Sequence, residues 1–145
     1  MSPELVLKLS APVPRYTSYP TAPHFHPGVT ADSYGRWLAA MPEDAAISLY
    51  LHIPFCDRLC WFCACHTKQT LKYDPVAAYL DARIAEISLV GEKLAGKGRV
   101  TAVHYGGGSP TMLKPDDMVR LDRALRGAMR FDPAAEVSVE IDPND

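Results

Sequence analysis

The chain has 145 residues, of which 48% are hydrophobic and 22% charged, and its formal net charge is −2 at pH 7. This length is enough for one domain with a hydrophobic core, and the near-neutral charge gives no support for nucleic acid or an anionic membrane surface as a partner. No apolar run approaches the roughly 20 residues of a membrane span, and the N-terminus lacks the pattern of a signal peptide. We therefore expect a cytoplasmic protein.

The N-terminal segment, residues 1–46, is rich in proline. Residues 1–29 hold six of the thirteen prolines, with aromatic residues between them, and proline fixes φ and removes a hydrogen-bond donor. This pattern predicts an extended, irregular segment. A short helix is expected at about residues 31–40, with Trp37 and Leu38 facing inward.

From residue 47 onward the pattern alternates between strand and helix. Residues 47–53 alternate cleanly, with Tyr50 and His52 opposite the isoleucines and leucines. A helix follows from about Asp74 to Gly96 or Gly98, then a strand at about 100–105, a helix from about Pro115, and a strand at about 136–141. Strand, helix, strand, helix, strand predicts an α/β fold with a parallel sheet.

The polar face of the first and third strands is typical of a barrel wall whose inner face lines a cavity. A full α/β barrel needs about 200 residues or more, whereas residues 47–145 supply about three β/α units and end just past a strand. We therefore interpret residues 47–145 as the N-terminal part of a TIM-type barrel, and the chain as a fragment that is inactive by itself.

All four cysteines lie between positions 56 and 65, in the spacing Cys56-x3-Cys60-x2-Cys63-x-Cys65, directly after the first strand. Packing four thiols into ten residues closes no long loop, so a disulfide framework is disfavoured. Three thiolates in a short loop fit three irons of a cubane cluster, and the fourth iron then stays open for a ligand.

Two other readings of these cysteines remain open. Structural zinc is one, although such sites usually pair two Cys-x2–4-Cys knuckles across a longer connection. A redox pair of Cys63 and Cys65 is the other, although these two lack the Cys-x-x-Cys form. Cys65 is either a further ligand or a thiol that serves elsewhere in the site.

The cysteine spacing resembles the signature loop of the radical S-adenosylmethionine superfamily, which also follows the first barrel strand. Three further segments narrow the resemblance to the oxygen-independent coproporphyrinogen III oxidase family: Tyr50-Leu-His-Ile-Pro-Phe-Cys56, His104-Tyr-Gly-Gly-Gly-Ser-Pro-Thr111 and Pro14-Arg-Tyr-Thr-Ser-Tyr-Pro-Thr21. The related haem-chaperone branch, as the alternative, has a non-cysteine residue at the position of Cys65 and lacks the last segment.

The resemblance implies a 4Fe-4S cluster on Cys56, Cys60 and Cys63, and S-adenosylmethionine, in one or two molecules, as the cofactor. It also implies cofactor-binding roles for six residues: Tyr50, Phe62, Gly107, Gly108, Ser109 and Glu140. A position inside a barrel near the C-terminal end of a strand favours ligand binding by Glu140. No catalytic residue is identified.

Each of these assignments has a simpler alternative. Glu140 could be a solvated charge on an edge strand, Phe62 could be a packing residue, and the glycines could form a plain tight turn. His52 and His104 are expected to be hydrogen-bonded core histidines. Arg15 is either a ligand for a substrate carboxylate or an ordinary structural arginine.

The implied reaction is the oxidative decarboxylation of coproporphyrinogen III to protoporphyrinogen IX in haem biosynthesis, by a 5′-deoxyadenosyl radical made from S-adenosylmethionine. The implied partners are the tetrapyrrole substrate and an electron donor, and the full-length enzyme is expected to be a monomer. The alternative is a haem chaperone of the same fold without oxidase activity.

Overall fold

The computed structural model describes residues 2–10 and 20–142 of the chain, which divides into two compact units, residues 1–31 and 32–145. The first unit contains helix α1, Pro3–Leu9, and a 3-10 turn, Ala22–His24. The helix contradicts the expectation of an irregular start: Pro3 occupies its first turn, where a missing N–H costs nothing, and the Ser2 side chain accepts a hydrogen bond from the Leu5 N–H at 3.3 Å. Arg15 lies outside the described residues.

The second unit contains three helices and five strands within its described part. The helices are α2 (Ala31–Ala39), α3 (Asp74–Leu94) and α4 (Pro115–Ala128), and a 3-10 turn covers Pro110–Met112. The strands are β1 (Ala46–Ile53), β2 (Phe55–Cys56), β3 (Lys68–Gln69), β4 (Arg99–Gly107) and β5 (Phe131–Val139). No helix in the described ranges is long and apolar enough to cross a bilayer.

Strands β1, β4 and β5 form a parallel sheet in the order β1-β4-β5. Helices α3 and α4 make the two crossover connections that parallel strands require. The short strands β2 and β3 pair separately and in parallel. The predicted α/β fold with a parallel sheet is therefore confirmed.

The hydrophobic core lies on one face of this sheet. Leu51 and Ile53 from β1 and Val103 and Tyr105 from β4 are at most 4% exposed. They form one cluster with the buried residues of the two crossover helices, namely Val76, Leu80, Ile87, Leu121 and Leu125. Because both helices cover the same face, the side chains at alternate positions of the strands lie on the opposite, uncovered face.

Three details differ from the sequence-based expectations. Leu38 of α2 is buried, as predicted, but Trp37 is 58% exposed, because the next residue along a helix points about 100° away. The left-handed residue that ends α3 is Ala95, with φ 51°, and not a glycine. Strand β5 begins at Phe131 and ends at Val139 rather than spanning 136–141.

The early start of β5 reflects an irregularity in its pairing with β4. Val100 pairs with Phe131 and Ala102 with Glu136, so the residues 132–135 lie opposite a single residue of β4. This bulge contains a proline, which has no N–H to donate to the ladder. The sequence pattern detected only the regular part beyond the bulge.

The contact between α3 and α4 depends on Gly91, and its replacement is a first prediction. A β-carbon there would lie 2.6 Å from the Ala128 carbonyl oxygen and 2.9 Å from the Ala128 β-carbon. We expect Gly91→Ala to lower the free energy of unfolding by about 1–3 kcal/mol through overpacking. Urea unfolding measures this change. Gly127→Ala, where nothing lies within 4 Å, is the matched control and should raise stability by about 0.4–1 kcal/mol.

Candidate cofactor-binding site

The cysteine loop, residues 56–65, follows the C-terminal end of β1. Cys56 lies in β2 and is partly buried, whereas Cys60, Cys63 and Cys65 are exposed, and all four thiols are free. A turn closes between Cys60 and Cys63, where the Cys63 N–H donates to the Cys60 carbonyl at 3.1 Å. Across the described residues, no three Cys, His, Asp or Glu side chains are gathered in a geometry that could hold a metal ion. The loop provides four thiols, and one of them, that of Cys56, belongs to a residue in a strand.

The glycine-rich turn after β4 packs directly on the start of this loop. The Gly108 N–H donates to the Ile53 carbonyl and the Ser109 N–H to the Phe55 carbonyl, both at 2.8 Å. A β-carbon on Gly108 would lie 2.4 Å from the Phe55 carbonyl oxygen and 2.9 Å from Cys56 Sγ. Glycine at this position therefore allows the two loops to approach each other at the C-terminal edge of the sheet, where parallel α/β folds bind their ligands.

The uncovered face of the sheet carries a row of polar side chains near the same edge. Tyr50, His104 and Ser138 are in register across β1, β4 and β5. The Tyr50 and His104 rings are stacked, with centroids 5.8 Å apart. His104 Nδ1 lies 2.7 Å from Ser138 Oγ. The predicted inward row of a barrel wall is thus present on the face that the helices leave open.

Glu140 lies one residue beyond β5 and completes this network. Its Oε2 accepts a hydrogen bond from the Gly107 N–H at 3.0 Å, and its Oε1 lies 3.2 Å from His104 Nε2. Gly106, between β1 and β5, leaves space that Tyr50 and Glu140 fill: a β-carbon there would lie 2.9 Å and 3.0 Å from their side chains. The carboxylate is therefore oriented by a main-chain donor and by an imidazole.

His52 lies on the same uncovered face as Tyr50. Its Nδ1 lies 3.0 Å from the Tyr50 hydroxyl, and its Nε2 lies 2.7 Å from the His66 carbonyl oxygen. The expectation that His52 and His104 are hydrogen-bonded holds. Both, however, lie on the open face rather than in the core, and His104 keeps 40% of its side chain exposed.

The pKa values of Tyr50 and Cys65 are both raised, by desolvation and in part because this network and the cysteine loop are close together. Desolvation, followed by the neighbouring Glu140 and Cys65, raises the pKa of Tyr50. Desolvation, followed by Cys63 and then Glu140 and Cys56, raises the pKa of the Cys65 thiol. The Cys65 thiol therefore lies beside Cys63 and within electrostatic range of Cys56 and Glu140.

The remaining predicted site residues differ in their exposure to solvent. Gly107 has φ 114°, which only glycine adopts readily, and its N–H contacts Glu140. Ser109 is buried, with 6% exposure, whereas Phe62 is 89% exposed on the cysteine loop. Phe62 is thus not packed in the core.

The donor set fits an iron–sulfur cluster. Free thiols are the ligands that such clusters take in most proteins, and three of the four lie on an exposed stretch that follows an anchored Cys56. Because Gly108 has no β-carbon, the glycine-rich turn packs against Cys56 without a side chain pressing on its Sγ. Oriented groups of Tyr50, Gly107 and Glu140 then lie beside the loop, where they could bind a polar ligand.

Sequence reasoning missed three contributors to this site: the orienting role of His104, the Ser138 hydroxyl, and Thr67, whose Oγ1 lies 3.3 Å from Cys56 Sγ. The signal for the first two was available, since they share the face of Tyr50 on adjacent strands. Thr67 gave no such signal, because its position depends on the pairing of β2 with β3.

Gly108→Ala is a second prediction. The added β-carbon would meet main-chain oxygen, which cannot move without displacing the cysteine loop, so we expect a loss of about 1–3 kcal/mol in the free energy of unfolding. Iron and sulfide bound after anaerobic reconstitution should fall below the wild-type content. An unchanged urea midpoint together with wild-type iron content would contradict the proposed close approach; Gly127→Ala controls for the substitution itself.

No family model matches the chain, but individual proteins do. It is 52% identical over 136 residues to the oxygen-independent coproporphyrinogen III oxidase of Paracoccus denitrificans, covering 93% of this chain and 30% of the relative. It is 48% identical over 131 residues to the protein of the same name from Bradyrhizobium diazoefficiens, covering 90% and 29%. The chain thus spans about 30% of the length of these two relatives.

Two further matches extend this finding. A protein named oxygen-independent coproporphyrinogen III oxidase from Mannheimia haemolytica is 40% identical over 139 residues, which are 96% of this chain and 94% of the relative. A solved structure, described as coproporphyrinogen III oxidase from Escherichia coli and as a radical SAM enzyme, matches with a TM-score of 0.84 and 37% identity, over 97% of this chain and 31% of that one. The fold is therefore that of the N-terminal part of a radical SAM enzyme, and the chain belongs to the oxygen-independent coproporphyrinogen III oxidase family.

Proposed function

We propose that this chain provides the cofactor-binding part of an enzyme that oxidatively decarboxylates coproporphyrinogen III to protoporphyrinogen IX. The observation that carries the proposal is the contact at Gly108, which brings the cysteine loop and the glycine-rich turn together at the C-terminal edge of the sheet. The names of the relatives support the substrate, and none of those named above is a haem chaperone.

In this proposal Cys56, Cys60 and Cys63 hold a 4Fe-4S cluster, with Cys65 outside the ligand set. When bound together, the cluster and S-adenosylmethionine supply a carbon radical that removes a hydrogen atom from a propionate side chain. The residues of the protein bind and orient the cluster and S-adenosylmethionine. Three cysteines would bind three of the four irons, and the fourth iron would remain available for another ligand.

The open face of the sheet then binds S-adenosylmethionine. The Glu140 carboxylate accepts hydrogen bonds from the cofactor's amino or hydroxyl groups, and His104 and the Gly107 N–H keep it oriented. Tyr50 contacts the cofactor beside the cysteine loop. Gly108, Ser109 and the exposed Phe62 are assigned to a second cofactor molecule.

The proposal includes partners and location. Reduction of the cluster requires a one-electron donor, and the electron released when the substrate radical loses carbon dioxide requires an acceptor. The substrate is a tetrapyrrole with four carboxylates. We assign the enzyme to the cytoplasm, since four free thiols suit a reducing compartment. We also propose that the full-length enzyme is a monomer. Cell fractionation and analytical ultracentrifugation test these two assignments.

The test is an anaerobic assay of the full-length protein with coproporphyrinogen III, S-adenosylmethionine and a chemical reductant. Formation of 5′-deoxyadenosine, carbon dioxide and vinyl-bearing porphyrinogen, measured by liquid chromatography, is the expected result. Stoichiometric haem binding without any vinyl product would overturn the proposal in favour of a chaperone. A protein that binds zinc but neither iron nor sulfide would overturn it in favour of a structural metal site.

A further inference from the structure

Thr67 makes a contact with Cys56 that neither the motif nor the family resemblance assigns. Its Oγ1 lies 3.3 Å from Cys56 Sγ, and the pair is partly buried. This distance is within hydrogen-bonding range for sulfur, whose radius exceeds that of oxygen. The contact joins the first residue of the cysteine loop to a residue eleven positions later in the chain.

The main chain holds this pair in place. Strand β2 pairs with β3 so that Phe55 lies opposite Lys68, and the Lys68 N–H donates to the Pro54 carbonyl at 2.8 Å. Thr67 directly precedes β3, and Cys56 is the second residue of β2. The ladder therefore brings the main chains of the two residues close together, so that their side chains can make contact.

Gly108 packs against both members of the pair. A β-carbon there would lie 2.8 Å from Thr67 Oγ1 and 2.9 Å from Cys56 Sγ. The glycine-rich turn thus lies against both atoms without placing a side chain between them. The pair is partly buried, and a hydrogen bond that is less exposed to water is stronger than a fully exposed one.

The direction of this hydrogen bond follows from chemistry. A cysteine that binds iron is a thiolate and has no proton to donate, whereas a threonine hydroxyl donates one. We propose that Thr67 donates an O–H···S hydrogen bond to the cluster ligand Cys56 and thereby raises the reduction potential of the cluster. The inference rests on the proposed function, because it requires Cys56 to be a cluster ligand.

The sign follows from charge. Reduction adds one negative charge to the cluster and its thiolates, and a donor to a ligand sulfur stabilises the more negative state. Thr67 is thus a residue that adjusts the potential and does not touch the reacting atoms. Removing its hydroxyl makes the cluster harder to reduce for a given electron donor.

The test is a redox titration of the full-length, cluster-loaded protein, followed by electron paramagnetic resonance of the reduced cluster. For Thr67→Val we expect the ratio of reduced to oxidised cluster at a fixed potential to fall by about three- to tenfold, which at 59 mV per tenfold step for one electron is a shift of about 30–60 mV. Thr67→Ser keeps the hydroxyl and should restore most of the wild-type ratio.

Thr70→Val is the matched control. The Thr70 hydroxyl bonds only to Lys72 among the described contacts, donating to its carbonyl at 3.0 Å and accepting from its N–H at 3.1 Å. The same change of side chain three residues away should therefore leave the potential at the wild-type value.

The outcomes separate the inference from the proposed function. Wild-type protein without bound iron and sulfide contradicts the proposed function itself. A wild-type potential in Thr67→Val with a full cluster overturns the inference alone. If the valine variant binds no cluster, Thr67→Ala removes the same hydroxyl; a wild-type potential there, or loss of the cluster from both variants, overturns a role in adjusting the potential.

Discussion

Replacing Cys56, Cys60 or Cys63 singly with alanine is expected to abolish bound iron and sulfide and to reduce activity by more than about 100-fold. Three thiolates hold three irons of the proposed cubane, so the loss of one leaves two, and second-sphere changes alone often cost 10–100-fold. Iron and sulfide analysis after anaerobic reconstitution, together with the absorption spectrum, measures the cluster. Deoxyadenosine formation measures the activity.

Cys65→Ala is the internal control for this series. Desolvation, and after it the neighbouring Cys63, Glu140 and Cys56, raises the pKa of the Cys65 thiol, yet Cys65 falls outside the Cys-x3-Cys-x2-Cys spacing. We expect this variant to keep its iron and sulfide. Equal loss of iron from all four variants would indicate a four-cysteine site without an open iron, and retention of the full cluster by any of the first three would remove that cysteine from the ligand set.

Changing Glu140 is expected to give the next largest effect, on the binding of S-adenosylmethionine. The carboxylate is already oriented by the Gly107 N–H and by His104, so the proposed binding of the cofactor would not require it to be ordered first. A hydrogen bond to a charged group contributes about 1.5–3 kcal/mol, which corresponds to roughly a tenfold to hundredfold weaker Kd in Glu140→Ala. Glu140→Gln, which keeps the shape and one acceptor oxygen, should lose less.

Anaerobic calorimetry of the cluster-loaded protein measures this Kd directly. Glu136→Gln is the matched control, because Glu136 precedes Glu140 by four residues on the same side of the same segment, about 13 Å away at 3.3 Å per residue. Glu136 is exposed and pairs through its main chain with Ala102. An unchanged Kd in Glu140→Ala, or an equal loss in Glu136→Gln, would show that the carboxylate does not bind the cofactor.

The parallel sheet and its polar face could be predicted from residue patterns because both depend on local periodicity. In β1 the alternation of Leu49, Leu51 and Ile53 with Tyr50 and His52 is a property of extended backbone, whose side chains point to opposite faces in turn. The Cys-x3-Cys-x2-Cys spacing is equally local. The family assignment followed from such motifs, and the relatives confirm it.

The errors arose where a local pattern had more than one structural outcome. The prolines of the N-terminal segment suggested irregular chain, but Pro3 is compatible with the first turn of α1. The proline in the bulge of β5 interrupts the strand pattern, so the predicted strand began too late in the chain. Trp37 was predicted to face inward together with Leu38, but successive residues of a helix point about 100° apart, and of these two only Leu38 is buried.

By itself, the sequence determined the fold class, the family and the three cysteines proposed to bind iron, because each depends on residue type and short-range spacing. Only the tertiary structure decided which groups meet: His104 against Glu140, Gly108 on Cys56, and Thr67 beside Cys56 Sγ. These contacts join residues 11 to 52 positions apart in the chain, and their partners are set by strand register. Register depends on how whole strands pair and pack, which no short segment encodes.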